Sequence, residues 1–471
     1  MKARSPGFKL FLAGLVAAVL IVPLMMVYLL VYDRENQSEQ AQAAITAGWG
    51  GAQVATGPVL VIPYMSESTT SEIVNGQRQE RTVRTRQELF VSPEQQQVET
   101  QIDPDRKKYA IYESVVYETQ MQGSARFALP KDLSRYGVKR EDLLLDQAQL
   151  RFGVSDPRGL KDGSRLEVNG KPQMLHPGNG PAATGGAGFS AEVALPQNGQ
   201  LEVRWQYGLR GSESLAFVPR GGETEWTVTS PWPHPSFGGD FLPDSKEISS
   251  AGFTAKHNGI TNLALGRPLV TLSDDGPPIV SYDNDRAMMT TRVEPARGAS
   301  PPGGPSMAAS IALVDPVDLY SQVDRAVKYG FLFIGFTFVT FLMFDIVGGA
   351  RVAAAEYLLT GAGLVLFFVL LLALAEVVGF AWAYVLAAAA IIALVTAYSA
   401  AVLGTWRRAG FIGGLLTALY ALLFVLLSME TYSLLIGAVL LFVALAGIMY
   451  ATRNVDWSAV GRSEEDDLAS A

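Results

Sequence analysis

The feature that most constrains this chain is an apolar run near its start. Leu10–Tyr32 contains 23 residues without a charge, and as a helix it would reach about 34 Å, enough to cross a hydrocarbon core of about 30 Å. The alternative is a cleaved signal peptide, because Lys2, Arg4 and Lys9 precede the run. The run is too long for such a peptide, however, and no small-residue cleavage site follows it. We therefore predict an uncleaved membrane anchor.

Five more apolar segments lie in the last third of the chain and predict a bundle of six transmembrane helices in all. They are Tyr329–Val347, Tyr357–Val378, Phe380–Gly404, Phe411–Met429 and Tyr432–Tyr450. An even number of spans places both termini on the same side of the membrane.

The basic residues outside the large middle region indicate which side that is. With six spans, eight cations fall on the side of the termini, and the two short loops on the other side carry none. The eight are Lys2, Arg4, Lys9, Arg351, Arg407, Arg408, Arg453 and Arg462. Cytoplasmic loops carry the excess of Lys and Arg. This predicts that both termini are cytoplasmic and that the large domain is exported, which in a Gram-negative cell means into the periplasm.

The region between the first and second spans is predicted to be rich in β-strands. A polar helix continues from the first span and stops at Gly48-Trp49-Gly50-Gly51, and short runs with period-two alternation follow. Many short strands without intervening helices favour antiparallel sheets packed as a sandwich. Asn169-Gly170 predicts a hairpin turn. The region's length favours two lobes, with Pro177–Gly188 as a candidate boundary and Arg297–Pro305 as a second loop.

The predicted organisation has four parts. Residues 1–32 form the cytoplasmic N-terminus and first span, 33–327 the periplasmic β-rich domain, 328–452 the five-helix transmembrane domain, and 453–471 a cytoplasmic acidic tail.

Charge and composition exclude several classes of protein. Residues 33–327 hold 28 Lys and Arg against 36 Asp and Glu, so the whole net charge of -8 lies in the predicted periplasmic domain. An acidic domain does not attract phosphate backbones, and we expect no nucleic-acid partner. The chain has no cysteine, which excludes thiolate metal sites and cysteine nucleophiles. We predict neither a metal nor another cofactor.

Candidate catalytic residues are few. Nucleotide-binding, zinc-protease and serine-hydrolase motifs are absent, and the three histidines have no metal-ligand spacing. His234 is the best candidate because it lies in an aromatic and proline-rich segment close to Asp240 and Asp244. A His flanked by two prolines is more typical of a fixed turn than of catalysis. Asp274-Asp275 and Asp283-Asn284-Asp285 could bind Ca²⁺, but without the EF-hand spacing they favour solvated turns.

The acidic residues of the predicted spans lie near span ends. Asp345 and Glu356 bracket a cytoplasmic loop, and Glu376 is about two residues from the periplasmic end of its span. A carboxylate there can stay ionised without a partner, which argues against an obligatory proton carrier. Glu376 could also pair with Arg325 or Lys328 above the second span.

Several sequence segments resemble the CreD inner-membrane protein family in order along nearly the whole chain. They are Trp49–Gln53, Gly57–Tyr64, Ile111–Tyr117, Trp232–Phe237, Gly239–Pro243, Arg325–Gly330, Glu356–Leu359 and Gly379–Tyr384. The chain departs from the family at Ala354-Ala355-Glu356, Asp345 and Val377, where the family tends to have His-Pro-Gln, Glu and His.

The resemblance implies a Gram-negative inner-membrane protein tied to cell-envelope integrity. It also implies production under a two-component system that governs β-lactamase expression and colicin tolerance. It supplies no catalytic residues. We therefore expect a non-enzymatic envelope or stress-response protein, whose partners are the lipid bilayer and an unidentified envelope protein or ligand of the periplasmic domain. A transporter or handler of lipid or envelope precursors is the alternative, and an exported hydrolase using His234 is a third possibility.

Overall fold

The computed structural model describes residues 6–428 except 75–76, 110–111, 280–303, 315–318 and 347–352, and of the later residues only 438–439, 442, 445–447, 449–450 and 453. Side chains are described for the same residues except 6–9, 68–74, 77–81, 109 and 344–346. The chain divides into two compact units, a helical unit of residues 1–39 with 317–471 and a β-rich unit of residues 40–316.

The helical unit contains all or part of six described helices. They are α1 (Pro6–Trp49), α2 (Leu319–Lys328), α3 (Gly330–Ile346), α4 (Ala354–Val378), α5 (Phe380–Leu403) and α6 (Trp406–Ser428). In the described part of the chain, five helical stretches are long and apolar enough to cross a membrane: α1, α2 with α3, α4, α5 and α6. They match the first five predicted spans. The sixth, Tyr432–Tyr450, lies outside the continuously described residues.

Helix α2 was not foreseen from the sequence. It is a ten-residue helix that precedes α3, and Tyr329 lies between the two. Tyr320, Val323 and Val327 are buried, and their spacing puts them on one face of the helix. A run this short and this charged resembles a loop when it is judged by hydropathy alone.

Small residues let the helices approach closely at two positions. A Cβ atom on Gly361 of α4 would lie 2.1 Å from Cδ1 of Leu20 in α1, and one on Gly413 of α6 would lie 2.5 Å from Oγ1 of Thr396 in α5. By contrast, a Cβ on Gly410 would meet nothing within 4 Å. The close packing therefore depends on particular glycines.

The β-rich unit contains seventeen strands among its described residues. They are β1 (Gln53–Val74), β2 (Gln77–Val91), β3 (Gln95–Tyr109), β4 (Tyr112–Ala128), β5 (Ala148–Val154), β6 (Arg165–Val168), β7 (Lys171–Pro172), β8 (His176–Pro177), β9 (Gly188–Val193), β10 (Gln200–Ser212), β11 (Ser214–Val218), β12 (Glu223–Ser230), β13 (Pro235–Gly239), β14 (Ser245–Ser249), β15 (Gly252–Thr261), β16 (Val270–Thr271) and β17 (Ala309–Leu313). Strands β1 to β4 have 15 to 22 residues each. The prediction of only short strands was therefore wrong for β1 to β4. Many of their residues are polar, so a pattern of apolar runs detects only part of each strand.

The strands form two mixed sheets, so the purely antiparallel prediction was wrong. The nine-stranded sheet has the order β13-β17-β11-β1-β5-β9-β8, with β2 beside β1 and β16 beside β2. The eight-stranded sheet has the order β14-β15-β12-β3-β4-β10-β6-β7. Each contains a parallel pair, β1 with β11 and β3 with β12. Both pairs join strands far apart in the chain, where no short turn enforces antiparallel pairing.

One hydrophobic core draws on both sheets, and the prediction of two lobes is not confirmed. Phe152 of β5 lies 5.8 Å from Trp205 of β10, and Phe217 of β11 lies 5.3 Å from Trp226 of β12, measured between ring centroids. The Pro177–Gly188 loop connects β8 with β9, which pair in the same sheet, and so does not separate lobes. Arg297–Pro305 lies almost wholly outside the described residues.

Two local predictions are confirmed. Asn169 and Gly170 have φ angles of 49° and 74°, as a two-residue hairpin turn requires, and they connect β6 with β7. Helix α1 ends at Trp49. The indole Nε1 of Trp49 donates to the Tyr117 carbonyl at 3.3 Å, and the Arg210 guanidinium lies 4.8 Å from the ring centroid. These contacts hold the last turn of α1, which belongs to the β-rich unit, against strands of that same unit.

Candidate functional site

His234 lies on the surface, in the segment between β12 and β13. Its side chain is exposed, and its backbone carbonyl accepts a hydrogen bond from Nε1 of Trp232 at 3.1 Å. The same indole donates to the Val314 carbonyl at 3.0 Å. Trp232 therefore fixes this segment, and His234 contributes its backbone to that arrangement.

Asp240 and Asp244 accept hydrogen bonds from backbone N–H groups. Oδ2 of Asp240 accepts from the Ala308 N–H at 2.9 Å, and Oδ2 of Asp244 accepts from the Asn258 N–H at 2.6 Å. Among the described residues, no hydrogen bond joins either carboxylate to the His234 imidazole. The structure thus gives these three residues local structural contacts, and it does not assemble them into a catalytic triad.

Glu376 has partners, although they are not the two cations that the sequence suggested. Its Oε1 lies 3.9 Å from Nε of Arg34 in α1 and 3.4 Å from the hydroxyl of Tyr320 in α2, and its side chain is 16% exposed. The suggested partner Lys328 instead pairs with Asp324 at 2.7 Å. The acidic group therefore connects three helices of the helical unit. The side chain of Asp345 lies outside the described residues.

The Asp274-Asp275 pair is part of a buried ionic cluster, so the interpretation as a solvated turn was wrong. Asp274 pairs with the guanidinium of Arg220, which is fully buried, and Asp275 pairs with Arg267. Oδ2 of Asp274 also accepts from the Ala182 N–H at 2.7 Å. Burial acts to raise the pKa of Asp274, but the charge and hydrogen bond of Arg220 outweigh it, and the pKa lies below its usual value. The second candidate, Asp283-Asn284-Asp285, lies outside the described residues.

His257 is a buried residue that the sequence did not single out. It is 1% exposed, and its ring stacks on Trp226 with 5.0 Å between centroids. Neither ring nitrogen has a hydrogen-bond partner among the described residues. Burial lowers the pKa of His257. Its position on β15 opposite Trp226 is set by strand pairing, which no local motif reveals.

Three hydroxyl groups in the apolar helices form hydrogen bonds within their own helix. Thr340, Ser399 and Thr417 donate to the carbonyl four residues earlier at 2.6–2.8 Å. The hydroxyls of Thr337 and Thr396 are buried without a hydrogen-bond partner among the described residues. Hydrogen bonds of the first kind are typical of Ser and Thr in helices.

A polar surface covers the outer side of the eight-stranded sheet. Four neighbouring strands, β12, β3, β4 and β10, place sixteen residues there in four rows across the sheet. The rows are Glu223, Gln95, Arg126 and Glu202; Glu225, Gln97, Ser124 and Arg204; Thr227, Glu99, Gln122 and Gln206; and Thr229, Gln101, Gln120 and Gly208. We call these sixteen residues the polar face. The first two rows line an open cleft of about 330 Å³.

A sequence signal for the polar face exists but was overlooked. Gln95, Gln97, Glu99 and Gln101 alternate with Gln96, Val98, Thr100 and Ile102, which are buried. This alternation is typical of a half-buried strand, although glutamine is not a common strand residue. Within the described residues, no group of three or more His, Asp or Glu could hold a metal ion.

The apolar helices and the large β-rich unit together define a class of helical membrane protein. Known proteins show which family this chain is similar to. The family model for "Inner membrane protein CreD" matches residues 5–458. Inner membrane protein CreD of Escherichia coli (strain K12) is 31% identical over 450 residues, which cover 94% of this chain and 91% of that protein. The chain therefore belongs to the CreD family of inner membrane proteins.

One solved structure is also similar in part. A crystal structure of Legionella pneumophila aminopeptidase A in complex with aspartic acid aligns with 48% of this chain and 22% of its own, at 9% identity and a TM-score of 0.21. A likeness at this level carries no argument about fold or activity.

Proposed function

We propose that this chain is a non-enzymatic inner-membrane protein that supports cell-envelope integrity or the envelope stress response. In this proposal six spans hold the protein in the membrane with both termini in the cytoplasm. The β-rich unit is then a periplasmic domain, with its two sheets packed as a sandwich, and it binds an envelope protein or another envelope component.

The observation that carries the proposal is the distribution of cations at the ends of the apolar helices. Arg407 and Arg408 lie in the first turn of α6, on the side assigned to the termini, whereas Gly379 is the only residue between α4 and α5 on the opposite side. Lys and Arg are retained on the cytoplasmic side of a membrane, so the β-rich unit is assigned to the periplasm.

The non-enzymatic role is supported by the engagement of the ionisable candidates. Asp240, Asp244 and Asp274 accept hydrogen bonds from backbone N–H groups, and such bonds stabilise loops. A catalytic acid or base instead needs its proton-transfer atoms directed at a substrate. The outer side of the eight-stranded sheet supports a binding role because it offers an open polar surface.

Two alternative functions predict different experimental results. A transporter or handler of lipid or envelope precursors predicts substrate-dependent transport in vesicles that contain the purified protein. A hydrolase predicts that His234→Ala abolishes the envelope phenotype at normal protein level. The main proposal predicts neither result.

Alkaline phosphatase fusions test the orientation. A fusion after residue 200 should be active, and a fusion after Arg408 should be inactive. Both fusions must be compared at equal protein level. The reverse pattern would overturn the orientation and with it the periplasmic assignment.

Site-specific photo-crosslinking in envelope fractions tests the binding role. A photoreactive residue at Gln97, on the outer side of the eight-stranded sheet, should yield discrete adducts with an envelope component. The matched control position is Val98, the next residue, which is 2% exposed in the core. Adducts of the same kind from both positions would contradict a specific binding surface.

A further inference from the structure

We propose that the polar face binds an uncharged, hydroxyl-rich polymer, a glycan strand. This inference rests on the proposed binding role of the β-rich unit and names the class of ligand.

The polar face has a regular geometry because four fully paired strands build it. Glu223 is in register with Gln95, Gln95 with Arg126, and Arg126 with Glu202. Neighbouring strands lie about 4.8 Å apart and successive rows about 6.8 Å apart, so the face measures roughly 14 by 20 Å. It is therefore wide enough to contact several sugar units of an extended chain.

The cleft arises from one short side chain. Ser124 lies in the second row between Gln97 and Arg204, and the longer side chains around it form the walls. The resulting volume of about 330 Å³ falls at the lower end of the range of roughly 300–1,000 Å³ for small-ligand clefts. The cleft can accept part of a ligand that continues across the face.

The chemistry of the polar face favours hydroxyl groups as partners. Fifteen of its sixteen residues have polar side chains, six of which are glutamines. A glutamine amide presents donors and an acceptor side by side, and a hydroxyl both donates and accepts. The amide of Gln97 already donates to Glu225 at 3.2 Å, and that of Gln122 to Glu99 at 2.8 Å. The amide oxygens of these two glutamines can accept hydrogen bonds from donors such as sugar hydroxyls.

Two other kinds of partner fit the face less well. Four glutamates against two arginines give it a net charge of -2, which opposes nucleic acids and other polyanions. Protein interfaces are enriched in aromatic residues and methionine at their centre, and the polar face contains neither. A neutral polyhydroxylated ligand is the class that meets both restrictions.

Arg204 is the residue expected to contribute most. Within the described residues no carboxylate lies within 4.0 Å of its guanidinium, and the side chain is exposed beside the cleft. Hydrogen bonds from a charged donor are stronger than those between neutral groups. Arg204 is therefore available to bind a sugar oxygen.

The test uses the full-length protein in a detergent without a sugar headgroup, because maltoside detergents would compete. The probes are maltohexaose and the N-acetylglucosamine hexamer, with a heparin hexasaccharide as the polyanionic control, and binding is measured by saturation-transfer NMR and titration. We expect a dissociation constant on the order of 1 mM for at least one neutral probe, because the cleft is open.

Three variants locate the binding. Arg204→Ala should weaken it about tenfold, and Ser124→Trp, which fills the cleft, should abolish it. Arg84→Ala is the matched control, since Arg84 is an exposed arginine on β2 of the other sheet that pairs with Glu67. Circular dichroism of each variant checks that the fold is retained, and Arg204→Ala keeps the test decisive should Ser124→Trp misfold.

The inference is overturned when no neutral probe binds, when heparin binds in preference, or when Arg204→Ala and Arg84→Ala weaken binding equally. Failure of the glycan proposal can be distinguished from failure of the proposed binding role. Specific photo-crosslinks at Gln97 to an envelope protein, without glycan binding, would refute the ligand class and leave the binding role intact. Absence of both would count against the binding role itself.

Discussion

The two units of this protein stabilise buried polar groups in different ways. In the β-rich unit, charges are buried in pairs, as with Arg220 and Asp274, and the pairing joins loops that are distant in sequence. In the helical unit, Thr340 and Ser399 bond to their own helix, and glycines bring the helices together. The comparison teaches that the buried charged groups of the β-rich unit are stabilised by complementary charge, whereas the helices of the helical unit are stabilised by close packing.

The largest effect is expected at Asp274. Asp274→Asn removes the carboxylate that pairs directly with the fully buried Arg220, and breaking such a pair costs about 3–5 kcal/mol of unfolding free energy. Denaturant unfolding of the purified protein, followed by tryptophan fluorescence, measures it. Glu67→Gln is the control, because Glu67 and Arg84 form an exposed pair worth about 0–1 kcal/mol. If both variants lost the same unfolding free energy, the buried pair would be no more important than the exposed one, and the role given to buried charge in the β-rich unit would be wrong.

Close packing of the helical unit is tested at Gly413. Gly413→Ala places a methyl group against Thr396, which is stiff because it is β-branched, and we expect a loss of about 1–3 kcal/mol from overpacking. Thermal stability in detergent measures it. Thr396→Ala should restore stability in the double variant, and Gly410→Ala should have no such cost. A double variant as unstable as Gly413→Ala would show that the contact is not the cause.

Acidification should affect the β-rich unit through His257. Burial lowers the pKa of this residue in the folded state, while the unfolded chain binds a proton near pH 6.5. Its contribution to stability is therefore complete above about pH 6.5 and declines below that pH, by at most about 1.4 kcal/mol per pH unit.

Unfolding experiments between pH 7 and 5 measure this decline. His257→Phe should flatten that part of the profile, and replacement of the exposed His176 by Gln should leave it unchanged. A wild-type profile that is flat over this range would show that His257 does not control stability there.

The smallest effect is expected at Glu376. The ion pair with Arg34 is long and partly exposed, so Glu376→Gln should cost about 0–1 kcal/mol and leave insertion and protein level intact. We expect a modestly weaker envelope-stress phenotype, measured by survival in detergent or bile salts. Arg34→Gln is the matched variant and should have the same effect. Complete loss of the phenotype at normal protein level would favour the transporter alternative.

Local sequence signals predicted much of the fold. The apolar runs predicted five helical stretches, and Asn169-Gly170 predicted its turn, because each depends on residues close together in the chain. Strand partners were not predictable in this way. The parallel pairing of β1 with β11 and the cluster of Arg220 with Asp274 join distant segments, and no residue near either one reveals its partner.

The same limit applies to the candidate site. His234 and Asp240 attracted attention because their residue types are typical of catalysis, yet their contacts stabilise local structure. The polar face consists of ordinary residues such as Gln95 and Ser124, and only the register of four strands brings them together. Residue type therefore identified individual candidates, while the arrangement that forms the cleft required the structure.

The parallel pairing of β1 also sets the order in which the β-rich unit can fold. Thr56 of β1 bonds to Val218 of β11, 162 residues later in the chain. At a synthesis rate of about 5–20 residues per second, roughly 8–30 s pass before that partner exists. During this interval the four residues of β1 that pair with β11, Gln53–Thr56, lack that partner, and unpaired strand edges promote aggregation. We therefore expect the rate of translation between these strands to influence the yield of folded protein.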